Sequence, residues 1–187
     1  CLDIDDDFSS KEQIVVSRSF GQRISNLKEL RPIVSNFAVR AAEKLRNERQ
    51  KCSQVSVFVR TSPFNRNKPQ HSDLKTIELF TPTNDTRDIL AAAKKGLLPI
   101  FRSGYDYAKA GIILNKFSDE KTKQYSLFKD PNEPKQNMRL MKYLDQMNNY
   151  ETQIYYASQN TKKWSPMKQN MTSPKYTTNW YELPKVN

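Results

Sequence analysis

The densest concentration of reactive side chains is Asp5-Asp6-Asp7, with Asp3 and Glu12 close by. Adjacent carboxylates could hold divalent ions for phosphoryl transfer, but such sites gather their ligands from a shaped pocket, so this run reads as a solvated acidic tether. Cys1, Cys52 and the single His71 lack the number and spacing of a zinc site or a disulfide framework. Free thiols in a reducing cytoplasm are expected. Asn84-Asp85-Thr86 and Asn170-Met171-Thr172 match glycosylation acceptors, which carry no weight without a secretion signal. No catalytic residue and no metal ligand is expected in this chain.

Cationic chemistry remains. The 187 residues carry a formal charge of +11, and its distribution says more than its sum. Residues 1–12 hold five acidic residues and one basic; residues 13–115 hold eighteen basic and eight acidic, a balance of +10; residues 116–187 hold twelve and seven. A block of that sign attracts polyanions, and counterion release would make its affinity for nucleic acid salt-sensitive. The plainer reading is that Lys and Arg only keep the surface soluble. Nucleic acid is the preferred one. No segment approaches the roughly 20 consecutive apolar residues of a spanning helix, so no membrane partner is expected. The chain opens at Cys1 without a signal-like segment and reads as a cytoplasmic fragment of a longer protein.

The elements that must position these cations follow from hydrophobic period. Ile14, Val15 and Val16 predict a strand over 13–18, punctuated by Ser19-Phe20-Gly21. From Leu27, the positions Leu30, Ile33, Val34, Phe37, Ala38, Ala41 and Leu45 recur at helical spacing, with Pro32 near the start, where its missing N–H costs little. Val55, Val57 and Val59 alternate with Gln54, Ser56 and Arg60 in a second strand over 53–60. A loop over 61–73 leads to a third strand over 74–80. Capping side chains at 81–86 open a second helix that runs to about Ser103 and is closed by Gly104. Ala110, Ile112 and Leu114 mark a last strand over 108–115. The order βαββαβ predicts an α+β fold: a four-stranded antiparallel sheet with two helices on one face. The other face is left bare as a platform for a partner.

The runs Ser17-Arg18-Ser19-Phe20-Gly21, Arg40-Ala41-Ala42-Glu43-Lys44-Leu45-Arg46, Thr61-Ser62-Pro63-Phe64 and Lys109-Ala110-Gly111 resemble, in order and spacing, the little-finger domain of UmuC-type Y-family translesion DNA polymerases. Ser173-Pro174-Lys175-Tyr176-Thr177-Thr178, preceded by Trp164 and Met167, is similar to the end of those proteins. The resemblance implies an acidic linker over 1–12, a DNA-binding little finger over 13–116, a flexible linker over 117–136 and a UmuC-type extension over 137–187. It implies a non-catalytic region that holds template-primer DNA through the open sheet, mostly by backbone contacts, in the SOS response to DNA damage. Arg18, Ser19, Arg23, Arg60, Thr61 and Ser62 are the contacts implied. The palm carboxylates and their Mg ions belong to a region this chain does not contain, so no cofactor is expected here. A processed UmuD dimer and the RecA filament are the further partners implied, in a bacterial, nucleoid-associated setting. The family's glycine-rich run in the tail is replaced by Met147-Asn148-Asn149-Tyr150-Glu151.

Residues 117–136 are polar, contain Pro131 and Pro134, and show no period. Within them Gln124-Tyr125-Ser126-Leu127-Phe128 resembles the Gln-x-x-Leu-Phe peptide that bacterial polymerases insert into the sliding clamp. Leu127 and Phe128 would bury about 3 to 6 kcal/mol of apolar side chain before ordering costs, and the Gln124 amide would fix register. In the extension, Met138, Met141, Leu144 and Met147 predict one face of a helix that packs as core, and residues 153–157 a short strand. An aromatic end with Tyr176, Trp180 and Tyr181 follows. A second functional reading is a stand-alone protein that binds clamp and DNA and competes with intact polymerases.

Overall fold

The structure, a computed structural model, describes residues 11–65, 68–120, 133–148, 154–159, 172–174 and 176–183. Four strands, β1 (Ile14–Ile24), β2 (Gln50–Thr61), β3 (Ser72–Thr83) and β4 (Tyr107–Asp119), form one sheet in the order β1-β4-β2-β3. Helices α1 (Leu27–Asn47) and α2 (Thr86–Ile100) connect β1 to β2 and β3 to β4. Every neighbouring pair is antiparallel. β1 and β2 are therefore parallel to each other with β4 between them, and β3 and β4 are parallel with β2 between them. Two split β-α-β units interlock, which is the α+β arrangement the element order predicts.

Local chemistry explains the element ends. Asn26 is extended and accepts the Lys28 N–H at 2.9 Å, turning the chain from β1 into α1. Asp85 caps α2 by accepting the Arg87 N–H at 2.8 Å. Pro32 is the sixth residue of α1, beyond the first turn, so the helix forgoes one bond there. Several boundaries differ from the sequence reading, β1 and α2 the most instructive. β1 does not stop at Arg18 but runs through Ser19-Phe20-Gly21 to Ile24, with a register irregularity between Ser19 and Ile24; Phe20 and Ile24 keep the inward parity of Ile14 and Val16 and bury their side chains at 4% exposure. α2 ends at Ile100, where Phe101 becomes extended, and Gly104, at φ +88°, serves the turn into β4 instead of closing the helix.

The core lies between sheet and helices. α1 contributes Leu30, Val34, Phe37, Ala38, Ala41 and Leu45, and α2 contributes Ile89, Ala93 and Leu97. They meet Val55, Val57, Val59, Ala110, Ile112 and Leu114 of the central strands. Each fully buried aliphatic side chain contributes about 1.5 to 3 kcal/mol. Gly96 brings α2 close to the sheet, since a Cβ there would stand 3.2 Å from Val57 Cγ2.

A third helix, α3 (Glu133–Asn148), docks on the helical layer, away from the bare sheet face. Arg46 of α1 makes a two-pronged contact with Asp145, with Nε and Nη2 each 2.6 Å from a carboxylate oxygen. Its Nη1 donates to the Asn84 carbonyl at 2.8 Å and to Thr86 Oγ1 at 2.9 Å. Beside this clamp Met141 is 1% exposed, the Tyr156 hydroxyl donates to its sulfur at 3.5 Å, and burial pushes the Tyr156 phenol up. Gln159 Nε2 donates to Asn36 Oδ1 on α1 at 3.1 Å. The methionine stripe does not pack as one face: Met141 is buried, whereas Met138 and Met147 are exposed. Residues 154–157 form no strand, in contrast to the sequence expectation; residue 153 lies outside the described set. β4 also extends to Asp119, into the range read as linker, and α3 begins within that range.

Cys52 gives a test of the core. It is 0% exposed, its Sγ donates to the Thr83 carbonyl at 3.6 Å, and burial pushes its thiol from 9.0 up to about 12. The unfolded thiol therefore loses its proton first, so the contribution is whole below pH 9 and is lost between pH 9 and 12, at up to about 1.4 kcal/mol per pH unit. In urea melts across this range, the stability of the native sequence should fall more steeply than that of Cys52→Ala; parallel curves would refute the assignment.

Candidate nucleic-acid interface

Side chains alternate along a strand, so cross-strand partners point to the same face. Ile14 with Leu114, Val16 with Ile112 and Val57 with Ile112 face the helices. The register then builds four rows on the opposite, open face. Ser19, Lys109, Arg60 and Ser72 form the first; Ser17, Gly111, Phe58 and Leu74 the second; Val15, Ile113, Ser56 and Thr76 the third. Asn115, Gln54 and Glu78 form the fourth, extended by Gln13, whose Nε2 donates to Asn115 Oδ1 at 2.8 Å.

The first row brings two of the sequence-predicted residues together. Ser19 and Arg60 flank Lys109, and among the described residues neither cation belongs to an ion pair. Lys109 is not among the contacts expected from the sequence, although the pattern carries its signal: Ala110 and Ile112 face inward, so Lys109 must face outward. Arg23 is exposed, and alternation with buried Ile24 puts it on the open side beyond the register irregularity. Arg18 pairs with Ala110, which turns its exposed side chain to the helix side of the edge strand, apart from the first row.

Thr61 does not join the surface expected of it. Alternation with inward Val59 and outward Arg60 turns Thr61 inward, where it is 7% exposed, and the register shift between Arg60 and Thr61 pairs it with Tyr107. Its N–H donates to the His71 carbonyl at 2.9 Å and its hydroxyl accepts the His71 N–H at 3.0 Å, closing the β2–β3 loop. Ser62 is half-buried in the turn that follows, and Phe64 at the loop tip is 92% exposed. The Tyr107 hydroxyl accepts the Arg102 N–H at 2.9 Å and lies 3.2 Å from His71 Nδ1; burial pushes that phenol up. An ion pair between Lys68 and Asp106 ties the same two loops together.

Away from the first row the face loses its charge. Ser56 and Thr76 share a hydrogen bond of 2.8 Å. In the fourth row Glu78 accepts from Lys116 at 2.9 Å, and that hydrogen bond holds its carboxyl below the usual value. The cations of the four rows are thus confined to one end, while much of the remaining basic charge, such as Arg31, Arg40, Lys94 and Lys95, is exposed on the helices. The expected peptide residues Gln124, Leu127 and Phe128 lie outside the described residues. Among the described residues, no three His, Cys, Asp or Glu side chains are grouped to hold a metal ion, and no helix is long and apolar enough to cross a membrane.

A four-stranded antiparallel sheet with a helical layer on one side and an open face that is cationic at one end and apolar in its middle defines a little-finger-like α+β domain. Residues 11–127 match the impB/mucB/samB family C-terminal domain, and residues 138–186 match a domain of unknown function, DUF4113. The chain belongs to the impB/mucB/samB family. It is 42% identical over its whole length to the protein UmuC of Salmonella typhimurium, and 42% identical over 98% of its length both to ImpB of that organism and to MucB of Escherichia coli. It spans 44% of the length of each of these relatives. Among solved structures, a complex of the beta-clamp processivity factor and the little finger domain of PolIV matches at a TM-score of 0.43 and 15% identity, over 63% of this chain and 99% of that one. That likeness is too loose to bear on function.

Gly111 shapes the open face. A Cβ at this position would stand 2.4 Å from Ser17 Cβ and 2.6 Å from Phe58 Cε1, so the Phe58 ring lies over the glycine. Gly111→Ala should destabilise the domain by about 1 to 3 kcal/mol in urea melts, and Phe58→Ala with Ser17→Gly should recover most of that loss. An unchanged melting curve for Gly111→Ala would contradict the packing.

Proposed function

We propose that this chain is the non-catalytic C-terminal region of an error-prone translesion DNA polymerase of the DNA-damage response, which grips template-primer DNA and moors the enzyme to the sliding clamp. The observation that carries the DNA reading is the row Ser19, Lys109, Arg60 and Ser72 on an open face, with α3 docked on the opposite side. Guanidinium, ammonium and hydroxyl groups suit phosphate oxygens, which carry no sequence information. That is what copying damaged templates requires. Arg23 and Ser62 border the same end, and Arg18 approaches from the edge.

Clamp binding is assigned to Gln124, Leu127 and Phe128, on the resemblance of their spacing to the clamp peptide. Chemistry of nucleotidyl transfer is assigned to a part of the whole polymerase outside this chain, with its Mg ions; this region takes no cofactor of its own. A processed UmuD dimer and the RecA filament are the further partners proposed, in the bacterial cytoplasm at the nucleoid.

The two tethers should separate cleanly. Arg60→Ala with Lys109→Ala should weaken duplex binding about tenfold in fluorescence anisotropy, lower the slope of log affinity against log salt by about one to two, and leave clamp capture intact. Leu127→Ala with Phe128→Ala should abolish clamp capture and leave duplex affinity unchanged. Full clamp binding by the second variant, or an unchanged salt slope in the first, would refute the corresponding assignment.

A further inference from the structure

At the cationic end of the sheet an aromatic ring stands clear of the protein. Phe64 is 92% exposed, in the loop that joins β2 to β3. A single exposed apolar side chain needs no explanation in itself; the way this one is held does. The Thr61 N–H donates to the His71 carbonyl at 2.9 Å and the His71 N–H to Thr61 Oγ1 at 3.0 Å, which closes the loop at its base. Gln70 Nε2 donates at 3.1 Å to the Pro63 carbonyl, the group joined to the Phe64 nitrogen. The Asn65 N–H returns to the Ser62 carbonyl at 3.5 Å, so Pro63 and Phe64 sit at the head of a turn whose first φ the pyrrolidine ring fixes. The Lys68–Asp106 pair and the His71–Tyr107 contact tie the same loop to the start of β4. The phenyl is presented at a fixed place, so little ordering entropy is lost when it meets a ligand.

Its surroundings select the ligand. Arg60 lies four residues earlier, on the open face beside Lys109, and Arg102 is exposed ahead of β4. Four residues span at most about 14 Å, so Phe64 stands within about four nucleotide steps, at about 3.4 Å each, of a phosphate held by Arg60. The part of a nucleic acid that matches a bare phenyl is the face of a base, because stacking needs no hydrogen bond and accepts every base. Inside a duplex both faces of each base are covered, and parting a step costs about as much as the ring would return. An unpaired base has a face to offer. Resting on the reading of the open face as the duplex-binding surface, we infer that Phe64 stacks on an unpaired base where the duplex gives way to a single strand. The loop then recognises the junction while the cationic row holds the duplex beside it.

The test uses one duplex carrying a four-nucleotide overhang, either with its bases or with abasic residues in their place, titrated by anisotropy at several salt concentrations. Both forms present the same phosphates, so only a contact to the bases separates them. The base-bearing overhang should bind about fivefold tighter or more, with the same salt slope as the abasic one. Phe64→Ala and Phe64→Leu should erase the difference and leave the affinity for the abasic form unchanged, whereas Phe64→Trp should keep it. The ring is exposed, so melting curves of these variants should match that of the native sequence. Equal affinities for the two overhangs, with salt-dependent duplex binding intact, would overturn the inference and leave Phe64 to an apolar protein surface. A full preference retained by Phe64→Leu would overturn it too, since leucine has no face to stack. Absence of duplex binding altogether would instead bring down the open-face reading, and this inference with it.

Discussion

Both helices bury their apolar faces against the same side of one sheet, and the use of every other surface depends on that constraint. A four-stranded sheet has two faces, and α1 and α2 cover one of them with Leu30, Val34, Leu45, Ile89 and Leu97. The split topology requires it: with β4 lodged between β1 and β2, and β2 between β3 and β4, each helix crosses over a strand of the other unit. The inward residues are then nearly all aliphatic, and the outward ones are free to include Ser, Lys, Arg, Gln and Asn beside Val15, Phe58, Leu74 and Ile113. The proposed DNA contacts belong to that second set.

Arg46 extends the same logic to the C-terminal extension. Its guanidinium stands at the end of α1, holds the Asn84 carbonyl and Thr86 hydroxyl at the start of α2, and grips Asp145 of α3. A partly buried, two-pronged ion pair that also satisfies backbone groups is costly to break from one side, because the remaining charge is left without its partner. α3 is thereby seated on the helical layer, and the sheet face stays clear. The extension's outward side, with Leu140, Tyr143 and Met147 exposed, is presented away from the core.

Much of this was legible in the sequence because the two hydrophobic periods are clean. Val55-Val57-Val59 could only be a half-buried strand, and the Leu30 to Leu45 stripe only a helix, so the element order and the one-sided helical layer followed. What was not legible depends on pairing. Nothing local says that β4 separates β1 from β2. Gly21 reads as a strand end, and the pairing of Ile24 with Tyr107 beyond the irregularity is what shows that the strand continues. The one-residue register shift beside Thr61 sets it against Tyr107, although alternation after Val59 and Arg60 already turns its side chain inward. Lys109 gains its meaning from Ser19 and Arg60, which are remote in sequence and adjacent only in the sheet. The Arg46–Asp145 clamp joins residues 99 positions apart, beyond the reach of any local pattern.

Duplex DNA, on the function proposed, is held on the open face of the sheet. Backbone amide chemical shifts of the labelled chain, followed as a short duplex is added, test this most directly. Changes should centre on Ser17, Ser19, Phe58, Arg60 and Lys109, with Arg31, Arg40, Lys94 and Lys95 on the helical layer unmoved. A map in which the helical cations shift and the first row of the sheet stays still would contradict it.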